Sequence, residues 1–392
     1  MNMQRLLIGF GVGLVMVVLV GGFTNTSLAE ERVVHFFQVN ALTGQAGSYG
    51  TRSIHGVELA AKHLNDAGGF TDTCGNTYTI KLSVWDMANS REQAIAGLRK
   101  AADDPTVLAV LGSTPSTGFA AMEPVAGQVK MPIIATGSAV PIKKWNPYAF
   151  RVTIATPVAA PYFLKVFKTT FNPKRIAILY DITQDALRAE ADLLRDLAST
   201  NGLELVAFEA FRVNDTDFRA QLTSIKGVDP EWLGVYAANV EGSKIVNQMD
   251  ELGLLGKVNI FSGYGVFQDP TYWDLSNGKI KGAVNWAVAF DLQSPDPQMQ
   301  KVVTDYRAFP EEPTIYSVYG YQALQAAVDA VKRACTSTDR EKFRDALAQT
   351  KIDALAGPVA FNSPRSAPNG ENQGGSVIIA RVTGRDTYEV IK

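Results

Sequence analysis

Short runs of apolar and β-branched residues alternate with segments of helical periodicity through most of this 392-residue chain, and that alternation restricts it to an α/β fold. Residues 33–39 read as a first strand. A glycine-containing loop, Leu42-Thr43-Gly44 to Tyr49-Gly50, leads into a helix with Ile54, Val57, Ala61 and Leu64 on one face, closed by Gly68-Gly69. Strands at 78–85, 107–111 and 132–135 follow, separated by helices at 92–102 and 117–129. The unit then repeats. Helix 157–171 precedes strand 175–180, and the next helix is marked by Leu187, Ala191, Leu194 and Ala198. Strands at 203–208, 232–236 and 258–261 alternate with helices at 218–225 and 243–252. Continuously apolar strands between amphipathic helices predict parallel sheets covered on both faces. Two such blocks predict two lobes of similar build. With no Pro- or Gly-rich tether between them, several short crossings join the lobes. Further helices are expected at 302–306, 316–335 and 341–349, then a polar loop at 363–375 and a strand pair at 376–391 around Gly384-Arg385-Asp386.

The N-terminal residues predict export. Arg5 precedes a nearly unbroken apolar run from Leu6 to Val20, and the small-residue site Ser27-Leu28-Ala29 follows. This is the layout of a cleavable secretory signal spanning 1–29. The alternative, an uncleaved anchor, needs roughly 17–25 apolar residues, and this run lies near the lower limit. A soluble periplasmic protein is expected. Removing 1–29 takes away one basic residue and no acid, moving the formal charge from −2 to −3. Nothing in that balance calls for nucleic acid or anionic lipid as a partner. The remaining 363 residues suit two domains better than one core. Cys74 and Cys335 are the only cysteines. In an oxidising compartment an even pair predicts a disulfide, the alternative being two separate buried thiols. Neither a metal nor a cofactor is expected.

In open α/β sheets, ligands sit beyond the carboxyl ends of strands and against helix N-termini. That rule selects Leu111-Gly112-Ser113-Thr114-Pro115-Ser116-Thr117, where Ser116 and Thr117 offer hydroxyls and the helix start favours a carboxylate. It also selects Ala135-Thr136-Gly137-Ser138, where Gly137 permits close approach to the backbone. Each Ser or Thr could instead cap a helix. Tyr49, Tyr180, Asn239 and Tyr264 occupy the first loop or strand ends and could supply an aromatic wall with polar points, or be ordinary core and rim.

The chain resembles the periplasmic leucine/isoleucine/valine-binding proteins and their wider group of ABC-importer solute receptors. The segments that carry the resemblance are Ala41-Leu42-Thr43-Gly44 with Tyr49-Gly50, Gly56 to Ala60 with Asn65-Asp66-Ala67-Gly68-Gly69, Val110-Leu111-Gly112 through Ser116, Pro132-Ile133-Ile134, Phe150-Arg151, and Arg175 to Ile178 with Asp181. It implies two Rossmann-like lobes, three crossings and a hinge that closes on ligand, with permease subunits as partners and a monomeric receptor. Lobe one would comprise 30–155 and 288–362, and lobe two 156–287 and 363–392. It also implies that Ser116, Thr136 and Ser138 grip the carboxylate and ammonium of an amino acid, with Tyr49 as the first-loop aromatic. The usual lobe-two acid aligns with Tyr264, a departure, because a phenol supplies no negative charge at neutral pH. Asp185 stands where an aromatic is usual. It restores that charge or merely begins the next helix. A branched-chain amino acid is the expected ligand, with aromatic carboxylates or amides as the alternative.

Two rival readings are weaker. An enzyme lacks support: the chain has no nucleophile elbow and no Walker loop, and His35, His55 and His63 show no metal-site spacing. Strand-end Asp86 and Asp181 read as structural. A ligand-presenting sensor of the same fold would need a separate membrane partner.

Overall fold

The computed structural model describes residues 32–391 except 45, 143–144, 264–265, 289–293, 362–369, 375–376 and 386. The predicted signal at 1–29, Tyr264 and Asp386 lie outside the described residues. The first lobe opens with β1 (Arg32–Asn40), α1 (Gly47–Asp66), β2 (Phe70–Thr71), β3 (Thr77–Asp86), α2 (Arg91–Asp103), β4 (Val107–Leu111), α3 (Ser116–Ala126), β5 (Ile133–Ala135) and β6 (Ala149–Arg151). Its six strands lie in the order β2-β3-β1-β4-β5-β6, parallel apart from the short β2. Every residue of β4 is buried, as its unbroken apolar run requires.

The second lobe follows with α4 (Thr156–Phe171), β7 (Arg175–Asp181), α5 (Asp185–Ala198), β8 (Glu204–Phe211), α6 (Arg219–Gly227), β9 (Trp232–Tyr236), α7 (Asn239–Glu251), β10 (Asn259–Ser262), α8 (Pro270–Leu275) and β11 (Val284–Val288). The chain then returns to the first lobe as α9 (Pro297–Tyr306), α10 (Ile315–Ala334), α11 (Arg340–Leu347) and the hairpin β12 (Lys351–Ala354) and β13 (Gly357–Ala360). It ends in the second sheet as β14 (Val377–Gly384) and β15 (Thr387–Ile391), giving the order β15-β14-β11-β10-β9-β7-β8. Strands β14 and β15 run antiparallel, so this sheet is mixed at one edge. The sequence reading assigned no element to β2, β6, α8, β11, β12 or β13. Most are very short, and β11 interrupts its apolar run with a buried Asn285.

Local chemistry sets many of the helix starts. Ser90, Asp296 and Asp339 each accept an N–H from three residues on. Thr314 and Ser317 form a reciprocal capping box at α10. Helix α10 lies against α1 so closely that a Cβ on Gly56 would fall 1.9 Å from the Ser317 carbonyl oxygen. The far end of α10 is tied to the loop after β2 by a disulfide between Cys74 and Cys335, reinforced by the Thr73 N–H donating to Lys332 O at 3.0 Å. The histidines bind elements together. His55 stacks on Phe309 and bonds Glu311, and His63 bonds Asp305 at 2.8 Å. Among the described residues no helix is long and apolar enough to cross a membrane.

The lobes meet at crossings that run side by side. Arg151, at the end of β6, is fully buried. Its guanidinium donates to both carboxylate oxygens of Glu371 on the third crossing, and its main-chain N–H donates to Gly370 O at 2.9 Å. Gln322 of α10 and Asn372 both donate to Val152 O on the first crossing.

Two outcomes test this core. The disulfide joins residues 261 apart in sequence, and replacing both Cys74 and Cys335 by Ala should lower unfolding free energy by about 2–5 kcal/mol. Guanidinium unfolding with an unchanged free energy would contradict that. Glu190 is buried on α5, where Trp286 donates to it at 2.6 Å, and burial pushes its carboxyl up from 4.5 to about 8. The folded state therefore holds a proton that the unfolded chain releases, and stability falls as pH rises from 4.5 to about 8. Urea unfolding of Glu190→Gln should show a flatter slope across that window; an identical slope would remove Glu190 as its source.

Candidate functional site

The carboxyl ends of β4 and β5 in the first lobe face those of β7 and β9 in the second, across a cleft that encloses a cavity. Its first-lobe wall is built from the bottom by Asn40 at the end of β1. Asn40 donates to Thr114 Oγ1 at 3.0 Å and accepts the Thr114 N–H at 3.0 Å, which fixes the loop after β4. Thr114 Oγ1 then meets Thr136 Oγ1 at 2.9 Å. Beside them, Ser116 Oγ accepts from Ser138 Oγ at 3.1 Å and from the Ala139 N–H at 3.2 Å. The two strand-end loops are thus joined by buried hydroxyls. Gly137 presses against Thr114, and a Cβ there would fall 2.5 Å from Thr114 Cγ2. Pro115 is the N-cap of α3 and supplies no side-chain acceptor, so the Ser116 N–H of the helix start at the cavity wall meets no capping side chain.

Behind this wall Arg151 reaches the same loop. It donates to Val140 O at 2.6 Å and lies 5.0 Å from the Trp145 ring centre, while Thr153 donates to Ser138 O at 2.6 Å. The interlobe crossing and the site loop therefore share one buried cation.

Tyr49 and Tyr316, with ring centres 4.6 Å apart, form an aromatic side. The second lobe contributes Gln184, Ala186 and Leu187 at the start of α5, Ala237 and Ala238 after β9, and Val266. Among the described residues the lining carries no ionised side chain, and its polar points lie on the first lobe and Gln184. Such a wall suits a compact apolar body with one polar end.

Of the residues selected from sequence, Tyr49, Ser116 and Gly137 line the cavity. Thr136 and Ser138 stand one layer back and orient Thr114 and Ser116. Thr117 is half-buried on α3 outside the lining. Asn239, at the start of α7, also lies outside the lining. It accepts from the Tyr49 hydroxyl at 2.6 Å and donates to Asp269 at 2.8 Å. Burial pushes the Tyr49 phenol well above 10, so at neutral pH it is a neutral donor. Asp185 begins α5 at the cleft rim, where its carboxylate pairs with Arg91 of the first lobe and lies 3.5 Å from Arg188. Tyr180 is core, 4.6 Å from Phe208.

Thr114 and Leu187 also line the cavity: Thr114 lies within the strand-end segment 111–117, while the helical spacing of Leu187 marks a core face and carries no sign of the cleft. Tyr316 lies 28 residues of chain beyond the end of β11, and local sequence carries no sign that its helix start returns to the cleft. Asp86 and Asp181 hold turns: Asp86 accepts the Leu42 N–H at 2.9 Å and Asp181 the Thr183 N–H at 2.8 Å. Among the described residues the one His/Cys/Asp/Glu group tight enough for a metal is Asp72, Cys74 and Cys335, whose sulfurs are joined to each other.

Known proteins are similar to this chain in sequence or fold. An amino acid binding protein of Pseudomonas aeruginosa is 27% identical over 296 residues, covering 74% of this chain and 75% of that protein. A Leu/Ile/Val-binding protein homolog of Brucella suis is 26% identical over 329 residues, covering 82% and 84%. The solved structure of a branched-chain amino acid transporter substrate binding protein from Streptococcus pneumoniae, in complex with isoleucine, superposes with a TM-score of 0.79. It is 22% identical, covers 92% of this chain and all of that one, and shares the fold. The profile of the periplasmic binding proteins matches residues 38–385, and the chain belongs to that family.

Proposed function

We propose that this chain is the solute receptor of an ABC importer, and that it captures a branched-chain amino acid in the cavity between its lobes. The observation that carries this reading is the pairing of a carboxylate-accepting helix start with apolar walls on both lobes. Ser116 and the backbone of the loop at 137–138 hold the carboxylate. Leu187, Ala237, Val266 and the Tyr49–Tyr316 pair enclose the side chain. Because both lobes touch the solute only when they are together, the solute stabilises the closed form, and permease subunits read that closed outline. Export to the periplasm by cleavage after Ala29 is consistent with the disulfide, which persists in an oxidising compartment. The receptor acts as a monomer and performs no chemistry on its cargo.

One observation favours a second ligand class. Among the described residues no carboxylate lines the cavity, and Asp185 is occupied by Arg91 and Arg188. An aromatic carboxylate without an amine would not need a lobe-two acid.

A thermal-shift series on refolded, ligand-stripped protein separates the two. A ligand at one hundred times its Kd adds about 2.7 kcal/mol of stability. Isoleucine, leucine or valine should raise the melting temperature. A shift with benzoate alone would replace the amino-acid reading by the second, and no shift with any of them would count against both.

A further inference from the structure

We propose that Tyr49, Arg52, Asn239 and Asp269 form a lock that holds the lobes together beside the cavity, with Arg52 and Asp269 as its positioning residues. The proposal rests on the reading of solute capture by lobe closure and names the contacts that set the closed geometry.

Tyr49 and Arg52 stand three residues apart on α1, so both project from the same face toward the second lobe. Asn239 opens α7 and Asp269 caps α8, both in the second lobe. The four close a ring. The Tyr49 hydroxyl donates to Asn239 Oδ1 at 2.6 Å. Asn239 Nδ2 donates to Asp269 Oδ2 at 2.8 Å. The same carboxylate oxygen lies 3.6 Å from Arg52 Nη1. Arg52 is anchored on its own lobe by the carbonyls of Glu312 and Ser48, at 3.1 and 3.2 Å, and its other arm reaches Thr271 Oγ1 at 3.4 Å. Arg52, Asn239 and Asp269 are each at most 6% exposed.

This assigns Asn239 a different task from the ligand contact expected of it. Its carbonyl and amide each have a partner, one on each lobe. A buried ion pair adds little net attraction, but any closed arrangement that separates the two charges leaves each buried and unpaired. The pair therefore selects one register of closure, and the Asn239 relay passes that register to Tyr49, whose ring lines the cavity. Asp269→Asn preserves the Oδ1 that accepts the Thr271 N–H and puts an amide NH2 in place of the Oδ2 that accepts from Asn239 and faces Arg52, so it breaks both contacts of that oxygen. Tyr49→Phe removes one hydroxyl and keeps the ring.

The test uses spin labels at two exposed positions, Ala96→Cys on α2 and Asp196→Cys on α5, in the disulfide-bonded protein. Distances are recorded without ligand and with isoleucine or benzoate. Both substitutions should move population toward longer interlobe distances, with the unfolding midpoint of Tyr49→Phe nearly unchanged. For whichever probe binds, Tyr49→Phe should speed release by roughly threefold to tenfold, the scale of one lost hydrogen bond. Distances unaffected by either substitution, with and without probe, would overturn the lock and leave the receptor reading standing. Longer distances in a protein that binds neither probe would support the lock and overturn the amino-acid and aromatic-carboxylate readings instead.

Discussion

The buried Arg151 guanidinium is the interaction on which the two-lobed arrangement depends. It fixes Glu371, and so the third crossing, against the end of β6, and it fixes the Val140 carbonyl, and so the loop that walls the cavity. A charge so enclosed is tolerable only because its donors are directed at a carboxylate and at carbonyl oxygens. Removing either partner would leave a buried charge unmatched, so the crossing and the site loop hold their positions together. The region where the lobes join and the cavity wall are thus tied to one buried side chain.

Around that cluster the roles divide. The first lobe supplies the polar end of the cavity, with hydroxyls held by other hydroxyls: Thr114 by Asn40 and Thr136, Ser116 by Ser138. The second lobe supplies apolar surface. Contacts between lobes lie outside the lining, at Arg91–Asp185 on the rim and at Arg52–Asp269 in the interior. The cavity lining and the lobe pairing thus use different side chains, except at Tyr49, which belongs to both.

The alternation of apolar strands with amphipathic helices made the two-lobed α/β fold legible, because burial on both faces of a parallel sheet leaves a pattern visible over a few residues. The strand-end rule selects Ser116 and Gly137, which line the cavity, because the helix start after β4 is a local feature. What was not legible depends on distant chain. Tyr316 reaches the cleft because α10 packs on α1, and Asp185 meets Arg91 from the other lobe. The short strands β6, β12 and β13 exist through pairing and carry little periodicity of their own. Asn239 was correctly placed at a strand end, but its partners, Tyr49 and Asp269, are decided by tertiary contact.

The most direct test of the central claim is a crystal structure of the protein with isoleucine. The account predicts the solute between the lobes, its carboxylate within hydrogen-bond reach of Ser116 and the backbone at 137–138, and its side chain against Leu187, Ala237 and Val266. A carboxylate held by the second lobe, or a solute bound outside the interlobe cavity, would contradict it.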